Sequence, residues 1–124
     1  MGWASSVVSP PDGDVGDFMT SCRKLRARNW RVFHPGHGGP ITDPAARIDW
    51  LIDHRLNRET AILDALRKQP ATPGELATRV YTDIPSELLG MATRNVLAHL
   101  IDLTGRNMIK SDIDPSREAI FRRI

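Results

Sequence analysis

The stretch FHPGHGGPI, residues 33–41, places two histidines in a turn rich in glycine and proline. It directly follows a short apolar run that contains Trp30, Val32 and Phe33. Glycine lets the backbone curl close to whatever an imidazole binds, and proline stiffens the approach. The stretch therefore predicts a strand over residues 30–33 that presents the imidazole of His37 in the turn after it.

The residues before this stretch predict one more strand and one helix. Ser5 to Val8 is a β-prone run that ends at the turn cluster of residues 9–13. A helix is expected from Asp14 or Asp17 to about residue 27, with its apolar face formed by Phe18, Cys22 and Leu25. We interpret the three nearby carboxylates, Asp12, Asp14 and Asp17, as loop solvation and helix caps rather than a cation site. Strand, helix, strand is the order of a layered α/β domain, but this block is too small to cover both faces of a sheet.

A long helix is predicted over residues 42–69, because Asp43 and Pro44 suit the N-cap and first helical positions and Pro70 stops the helix. Arg55 and Glu59 stand four residues apart, a spacing suited to an ion pair. The apolar stripe of this helix is expected to contain Ile48, Leu51, Ile52, Leu56, Ile62, Leu63 and Leu66.

The third block, residues 70–124, has the element order of a winged helix. Thr72 and Glu75 form a capping box for a helix over 73–81. A further helix is expected over about 86–103, with Gly105 as the residue just past its end. The β-prone segments 108–110 and 119–122 flank a polar turn and predict a hairpin.

Five segments of the chain resemble the metallo-β-lactamase superfamily. Residues 35–38, Pro-Gly-His-Gly, resemble its last metal-binding segment, in which the histidine is a zinc ligand. Residues 3–12 resemble the strand and loop after the family's bridging aspartate, and residues 17–22 resemble the following helix start. Residues 48–66 and 81–103 resemble the tail of the lactamase-like branch that carries an appended winged-helix domain.

The resemblance implies an α+β, mostly helical chain. Residues 1–43 are expected to be an incomplete C-terminal piece of the αββα lactamase fold, residues 44–69 a connecting helix, and residues 70–124 a winged-helix domain. The family's motif H-x-H-x-D-H and its bridging aspartate are absent from the 124 residues. We therefore expect the last third of a hydrolase, with Gly39 lengthening the family's usual turn by one residue.

The resemblance makes His37 the candidate metal ligand and zinc the expected cofactor of a full-length relative. His34 precedes it by three residues, at a position where the family motif does not call for histidine, and is a candidate for a substrate or interdomain contact. Zinc sites need three or four protein ligands, so one imidazole alone gives weak, exchangeable binding. The alternative is that His37 is a histidine in a surface turn.

His54, Arg55 and Arg58 match the family's H-R-x-x-R-E segment on the long helix. We expect them to make interdomain contacts, with substrate contact as the alternative. Cys22 lies on the predicted apolar face of the first helix and is expected to be a buried, inert thiol.

The winged helix raises the question of nucleic-acid binding, for which Arg94 and Lys110 are the candidates, with Asn95 and His99 on the same helix as Arg94. Seven Lys and Arg are matched by seven Asp and Glu in residues 70–124, and the whole chain has a net charge of only +2. Few phosphate contacts are therefore available, and we do not expect nucleic-acid binding.

The sequence thus predicts the C-terminal part of a zinc-dependent hydrolase that cleaves an ester, thioester or phosphodiester in the full-length relative and is inactive alone. The alternative is a stand-alone winged-helix interaction or nucleic-acid-binding module. The expected partner is the missing N-terminal catalytic half, or a second copy through residues 1–43. One cysteine fits a reducing cytoplasm, and no membrane segment is expected.

Overall fold

The computed structural model describes residues 6–124 and is mostly helical, as the sequence predicted. None of its helices is both long enough and apolar enough to cross a bilayer. In chain order the helices are α1 (Val15–Arg26), α2 (Pro44–Lys68), α3 (Pro73–Val80) and α4 (Leu89–Gly105), with a 3₁₀ turn at Ser86–Leu88 before α4, and the strands are β1 (Ile109–Ser111) and β2 (Phe121–Arg123).

The main core lies where α3, α4 and the hairpin meet the C-terminal half of α2. The capping box at the start of α3 forms as predicted, with Thr72 Oγ1 accepting from the Glu75 N–H and Glu75 Oε2 accepting from the Thr72 N–H. The helix therefore begins at Pro73 and turns Leu76 and Ala77 fully into the core. The other fully buried apolar side chains at its centre are Ile62, Val96, Leu100, Leu103, Ala119 and Phe121.

The hairpin is antiparallel and pairs Ile109 with Arg123 and Ser111 with Phe121. Phe121 also exchanges both backbone hydrogen bonds with Ala71, at 2.9 and 3.0 Å. Ala71 lies between α2 and α3, so this bridge ties the hairpin to the start of the winged helix.

The first helix begins where the sequence placed it, because Asp14 Oδ1 accepts from the Asp17 N–H at 2.8 Å. Its buried face is Val15, Met19 and Cys22, whereas Phe18 is only partly buried. Val15 and Met19 pack with Val8 and Ala98 in a second, smaller cluster against α4.

The two predicted strands of the first block do not form regular strands. Residues 6–8 are irregular, and the Val8 N–H donates to the side chain of Asn95 instead of to another strand; residues 3–5 lie outside the described part of the chain. The run 30–33 keeps a single bridge, between Phe33 and Ile41. Both predictions were wrong for one reason: in the described chain no neighbouring strand lies beside either run, and a strand forms only when its backbone groups are paired.

The end of α4 also differs from the prediction. Gly105 is helical, Arg106 is the C-cap, and the residue with positive φ is Asn107, at 57°. Asparagine tolerates the left-handed region better than other residues with a side chain, so the chain reverses two residues later than the glycine suggested.

Candidate functional site

The loop that contains His34 and His37 is closed at its base by a two-hydrogen-bond bridge. Phe33 and Ile41 exchange N–H···O bonds of 3.0 and 2.9 Å, so seven residues form the loop between them. Both histidines are exposed, and Gly38 has a φ of 89°, which a side chain would disfavour. The loop therefore presents two imidazoles outward.

The base of this loop is fixed to α1, which is itself joined to α2. The Trp30 indole N–H donates to the Leu25 carbonyl at 2.8 Å, and the Trp30 and Phe33 ring centres are 5.7 Å apart. Arg26 Nε lies 2.7 Å from Asp49 Oδ1, which joins the end of α1 to α2. The position of the histidine loop is thus set by short local contacts.

The loop does not form a complete metal site by itself. Among residues 6–124, no group of three or more His, Cys, Asp or Glu side chains is placed to hold a metal ion. Zinc requires three or four protein ligands, so the described residues fit one ligand position, at most two, of such a site.

Arg55 is the most deeply buried charged side chain of the candidate set, with 2% of its surface exposed. Its guanidinium donates to the Ser6 carbonyl and, at 3.2 Å, to Asn95 Oδ1, and it lies 5.1 Å from the centre of the Phe18 ring. Its Nε has no partner among the described residues. Burial lowers the pKa of this guanidinium from its usual value. Arg55 therefore joins α2, α4 and the segment before α1 in the interior of the protein, which favours a structural role over contact with a substrate.

The predicted ion pair between Arg55 and Glu59 does not form. Glu59 Oε2 instead lies 2.6 Å from Arg106 Nη2, which also contacts Asp102 at 2.7 Å. The pairing was wrong because Arg55 points into the interior, where Leu56 was expected, while Leu56 is 43% exposed. Arg55 and Glu59 have the spacing of an ion pair in the sequence, but the burial of Arg55 leaves Glu59 to pair with Arg106.

His54 lies in a cationic and aromatic environment. Its ring stacks on Trp50 with centres 5.0 Å apart and planes 15° apart, and Arg47 lies 4.4 Å from the centre of the Trp50 ring. Burial, together with the charges of Arg58, Arg55 and Arg47, lowers the pKa of His54. These surroundings therefore favour the neutral form of the imidazole.

Arg58 makes a contact between helices. Its Nη1 donates to the Val80 carbonyl at 3.0 Å, and its guanidinium lies 4.2 Å from the centre of the Tyr81 ring. It thereby satisfies a carbonyl at the end of α3. The contacts of the described chain join Arg55 and Arg58 to the winged helix, whereas the ring of His54 contacts Trp50 on its own helix. None of these contacts joins the three residues to His37.

His99 is a buried residue that the sequence reasoning placed on a DNA-facing helix. It is 1% exposed, and neither ring nitrogen has a hydrogen-bond partner among the described residues. Burial, followed by the charge of Arg55, lowers its pKa to about 4. His99 lies at helical spacing from Ala92, Val96 and Leu103, so the four residues share one face of α4. This spacing was the signal that could have predicted its burial. Arg94 and Lys110, in contrast, are exposed.

The fold and its winged-helix order have counterparts among known proteins. Residues 72–116 match the family model described as the beta-lactamase associated winged helix domain. A beta-lactamase-like protein 2 homolog of Caenorhabditis elegans is 33% identical over 84 residues, which is 67% of this chain and 28% of that protein. A "Probable metallo-hydrolase" of Bacillus subtilis is 27% identical over 108 residues, 83% of this chain and 34% of that protein.

A solved structure shows the same arrangement. The crystal structure of a metallo-beta-lactamase family protein from Thermus thermophilus superposes with a TM-score of 0.74 and 28% identity, over 89% of this chain and 33% of that one. The chain is therefore a C-terminal portion of the metallo-β-lactamase fold with its associated winged-helix domain. It spans about a third of the length of these relatives.

Proposed function

We propose that this chain is the C-terminal part of a zinc-dependent hydrolase and that His37 supplies one ligand to its metal site. The observation that carries the proposal is the exposed Pro-Gly-His-Gly loop, held open by the Phe33–Ile41 bridge in a chain of the metallo-β-lactamase fold. The other ligands are assigned to the part of the fold that the relatives have and these 124 residues lack.

Zinc, when bound, polarises substrate and generates a nucleophilic water at neutral pH, which suits hydrolysis of an ester, thioester or phosphodiester. The residues of this chain contribute in two other ways. The bridge and the Trp30 anchor hold the His37 loop against the end of α1, and Arg55 and Arg58 hold the winged helix on α2. The chain alone is expected to have no hydrolase activity, because His37 cannot form a zinc site by itself.

The first test is the intact mass of the native polypeptide, captured from its source cells through an epitope in the C-terminal hairpin. The proposal expects a species heavier by about 150 residues or more, the size of a typical additional domain. A native species of 124 residues contradicts the hydrolase proposal.

The second test measures zinc in that longer polypeptide by elemental analysis. His37→Ala should lower the zinc content, while the matched variant His34→Ala should leave it unchanged. Equal zinc in both variants and in the parent would exclude His37 as a ligand.

The alternative function, a stand-alone winged-helix module, has one favourable observation: Arg94 and Lys110 are exposed on the third block. The burial of His99 removes one of the side chains that such a helix was expected to offer. Salt-dependent binding of duplex DNA that is lost in Arg94→Gln would favour this alternative.

A further inference from the structure

The charges of the chain are unevenly distributed. Five of the 17 Lys and Arg lie between Phe18 and Thr42, a segment with no Asp or Glu, and the other 12 are outnumbered by the 15 Asp and Glu of the rest of the chain. The net charge of +2 therefore conceals one strongly cationic segment, which contains Arg23, Lys24, Arg26, Arg28 and Arg31.

This segment encloses a shallow depression next to a fixed aromatic ring. The depression has a volume of about 540 Å³ and is lined by Lys24, Leu25, Ala27, Arg28 and Trp30. Trp30 is 41% exposed, yet its ring cannot turn freely because the indole N–H is bonded to the Leu25 carbonyl and the ring packs on Phe33. The depression thus has a rigid stacking surface at one side.

The two cations that line the depression have no carboxylate partner. Arg26 is neutralised by Asp49, but the side chains of Lys24 and Arg28 have no ion pair or hydrogen bond among the described residues. Two exposed cations without partners can bind phosphate groups, and the half-exposed indole beside them can stack on a planar ring. Together they match a ligand that has phosphate groups next to such a ring.

We propose that the depression formed by Lys24, Arg28 and Trp30 binds a nucleoside phosphate, either free or as the nucleotide part of a larger small molecule. The base stacks on the exposed part of the Trp30 ring, and the phosphates contact Lys24 and Arg28. The volume lies within the range of about 300–1,000 Å³ of small-molecule sites, and because the depression is shallow the ligand would stay partly exposed to solvent. This inference does not depend on the metal site, because none of its residues is a candidate ligand.

The competing explanation is that these cations only complement the dipole at the end of α1. Arg23, Lys24 and Arg26 lie in its last turn, where cations are favourable. That explanation does not account for Arg28 and Arg31 beyond the helix, or for the ring fixed between them. It predicts that loss of the cations lowers the helix stability without affecting any ligand.

Calorimetric titration at low salt tests the proposal with ATP, tripolyphosphate and adenosine, on the longer polypeptide of the proposed function and on the 124-residue chain. Binding to the 124-residue chain alone would show that the rest of the fold covers the depression, and would overturn the proposal. ATP should bind. Tripolyphosphate, which has the charge but no ring, and adenosine, which has the ring but no charge, should each bind at least several-fold more weakly. Lys24→Gln combined with Arg28→Gln should weaken ATP binding by about tenfold, because two charged contacts to phosphate are lost.

Two further variants separate the parts of the site. Trp30→Leu should weaken ATP binding but not the residual binding of tripolyphosphate. The matched control Arg79→Gln with Arg94→Gln removes the same charge from exposed positions of the winged helix and should leave ATP binding unchanged.

Three results would overturn the proposal: no ATP binding, equal binding of ATP and tripolyphosphate, or equal weakening by the control variant. A single-stranded oligonucleotide that binds where ATP does not would also overturn it, since the surface would then require a longer strand. Circular dichroism of each variant shows that α1 is intact, so lost binding is not mistaken for unfolding.

Discussion

At the scale of single residues, the interior contact between Arg55 and Asn95 is the most unusual feature of the molecule. Asn95 Oδ1 accepts from both the Arg55 guanidinium and the Val8 N–H, at 3.2 and 2.9 Å. The described ion pairs all involve other side chains, so Arg55 is a buried cation held by neutral oxygens. One amide oxygen thereby serves two buried donors.

Asn95→Ala should therefore destabilise the fold by about 2–4 kcal/mol, since it leaves two buried donors, one of them charged, without an acceptor. In an Arg55→Met background the same change should cost only about 1 kcal/mol, because the charged donor is gone and only the Val8 N–H loses its acceptor. Chemical denaturation of the four proteins in this double-mutant cycle measures the coupling. Additive costs would show that the two side chains do not interact.

The buried His99 predicts how stability depends on pH. Its pKa of about 4 in the folded chain lies below the usual value of 6.5, so folding favours the neutral ring. The contribution of the neutral His99 ring to the free energy of unfolding is therefore complete above pH 6.5. It is lost as the pH falls from 6.5 towards 4, because the unfolded chain binds the proton first. It amounts to roughly 3 kcal/mol.

His99→Leu should remove this part of the pH dependence while leaving the part due to carboxylates. Urea unfolding at pH 7.5, 6 and 5 in both proteins tests it. If the two stability curves stay parallel between pH 7.5 and 5, His99 is not the titrating group.

At the scale of elements, Gly105 at the end of α4 has one conformation in the structure and another in the sequence prediction. Gly105 is helical, and a Cβ at that position would meet no atom within 4 Å. Gly105→Ala should therefore stabilise the protein by about 0.5–1 kcal/mol through helix propensity. A left-handed Gly105, as the sequence suggested, would make the same change destabilising, so the sign measured in thermal unfolding decides between them.

The start of α3 gives a second prediction at this scale. Thr72→Ala removes the side-chain acceptor of the capping box and should cost about 1 kcal/mol. Thr72→Ser is the matched control, since it keeps the hydroxyl and should be close to neutral. Equal stability of the alanine and serine variants would mean that the capping box does not contribute.

At the scale of the whole molecule, the core is divided unequally. The larger cluster joins α2, α3, α4 and the hairpin, whereas the smaller one, beneath α1, has only four buried members among the described residues: Val8, Val15, Met19 and Ala98. Local opening is easiest where few apolar contacts are buried.

We therefore expect the amides of α1 to exchange with solvent at a lower free energy than those of α4. Native-state hydrogen exchange followed by mass spectrometry measures both in one sample. Equal protection of α1 and α4 would show that the chain opens as a single unit.

The sequence determined most of the third block and α2 by itself. The signals there are local: Asp43 with Pro44 and Thr72 with Glu75 act on the next turn of the chain, and the apolar positions recur at helical spacing. The winged-helix order followed from them, and the fold confirmed it. The lactamase-like family followed instead from the resemblance of segments such as residues 35–38, and the comparisons with known proteins confirmed it. The domain boundaries and the role of His37 stay predictions.

Only the tertiary structure decided which charges are buried and which segments form strands. Arg55 is inside and Leu56 is half exposed, although they are neighbours on one helix, because the segment before α1 and Asn95 of α4 supply the oxygens that hold the guanidinium. The runs at residues 6–8 and 30–33 have β-prone residues, but a strand also needs a partner elsewhere in the chain. Hydrogen-bond partners distant in sequence decided these features, and local patterns do not encode them.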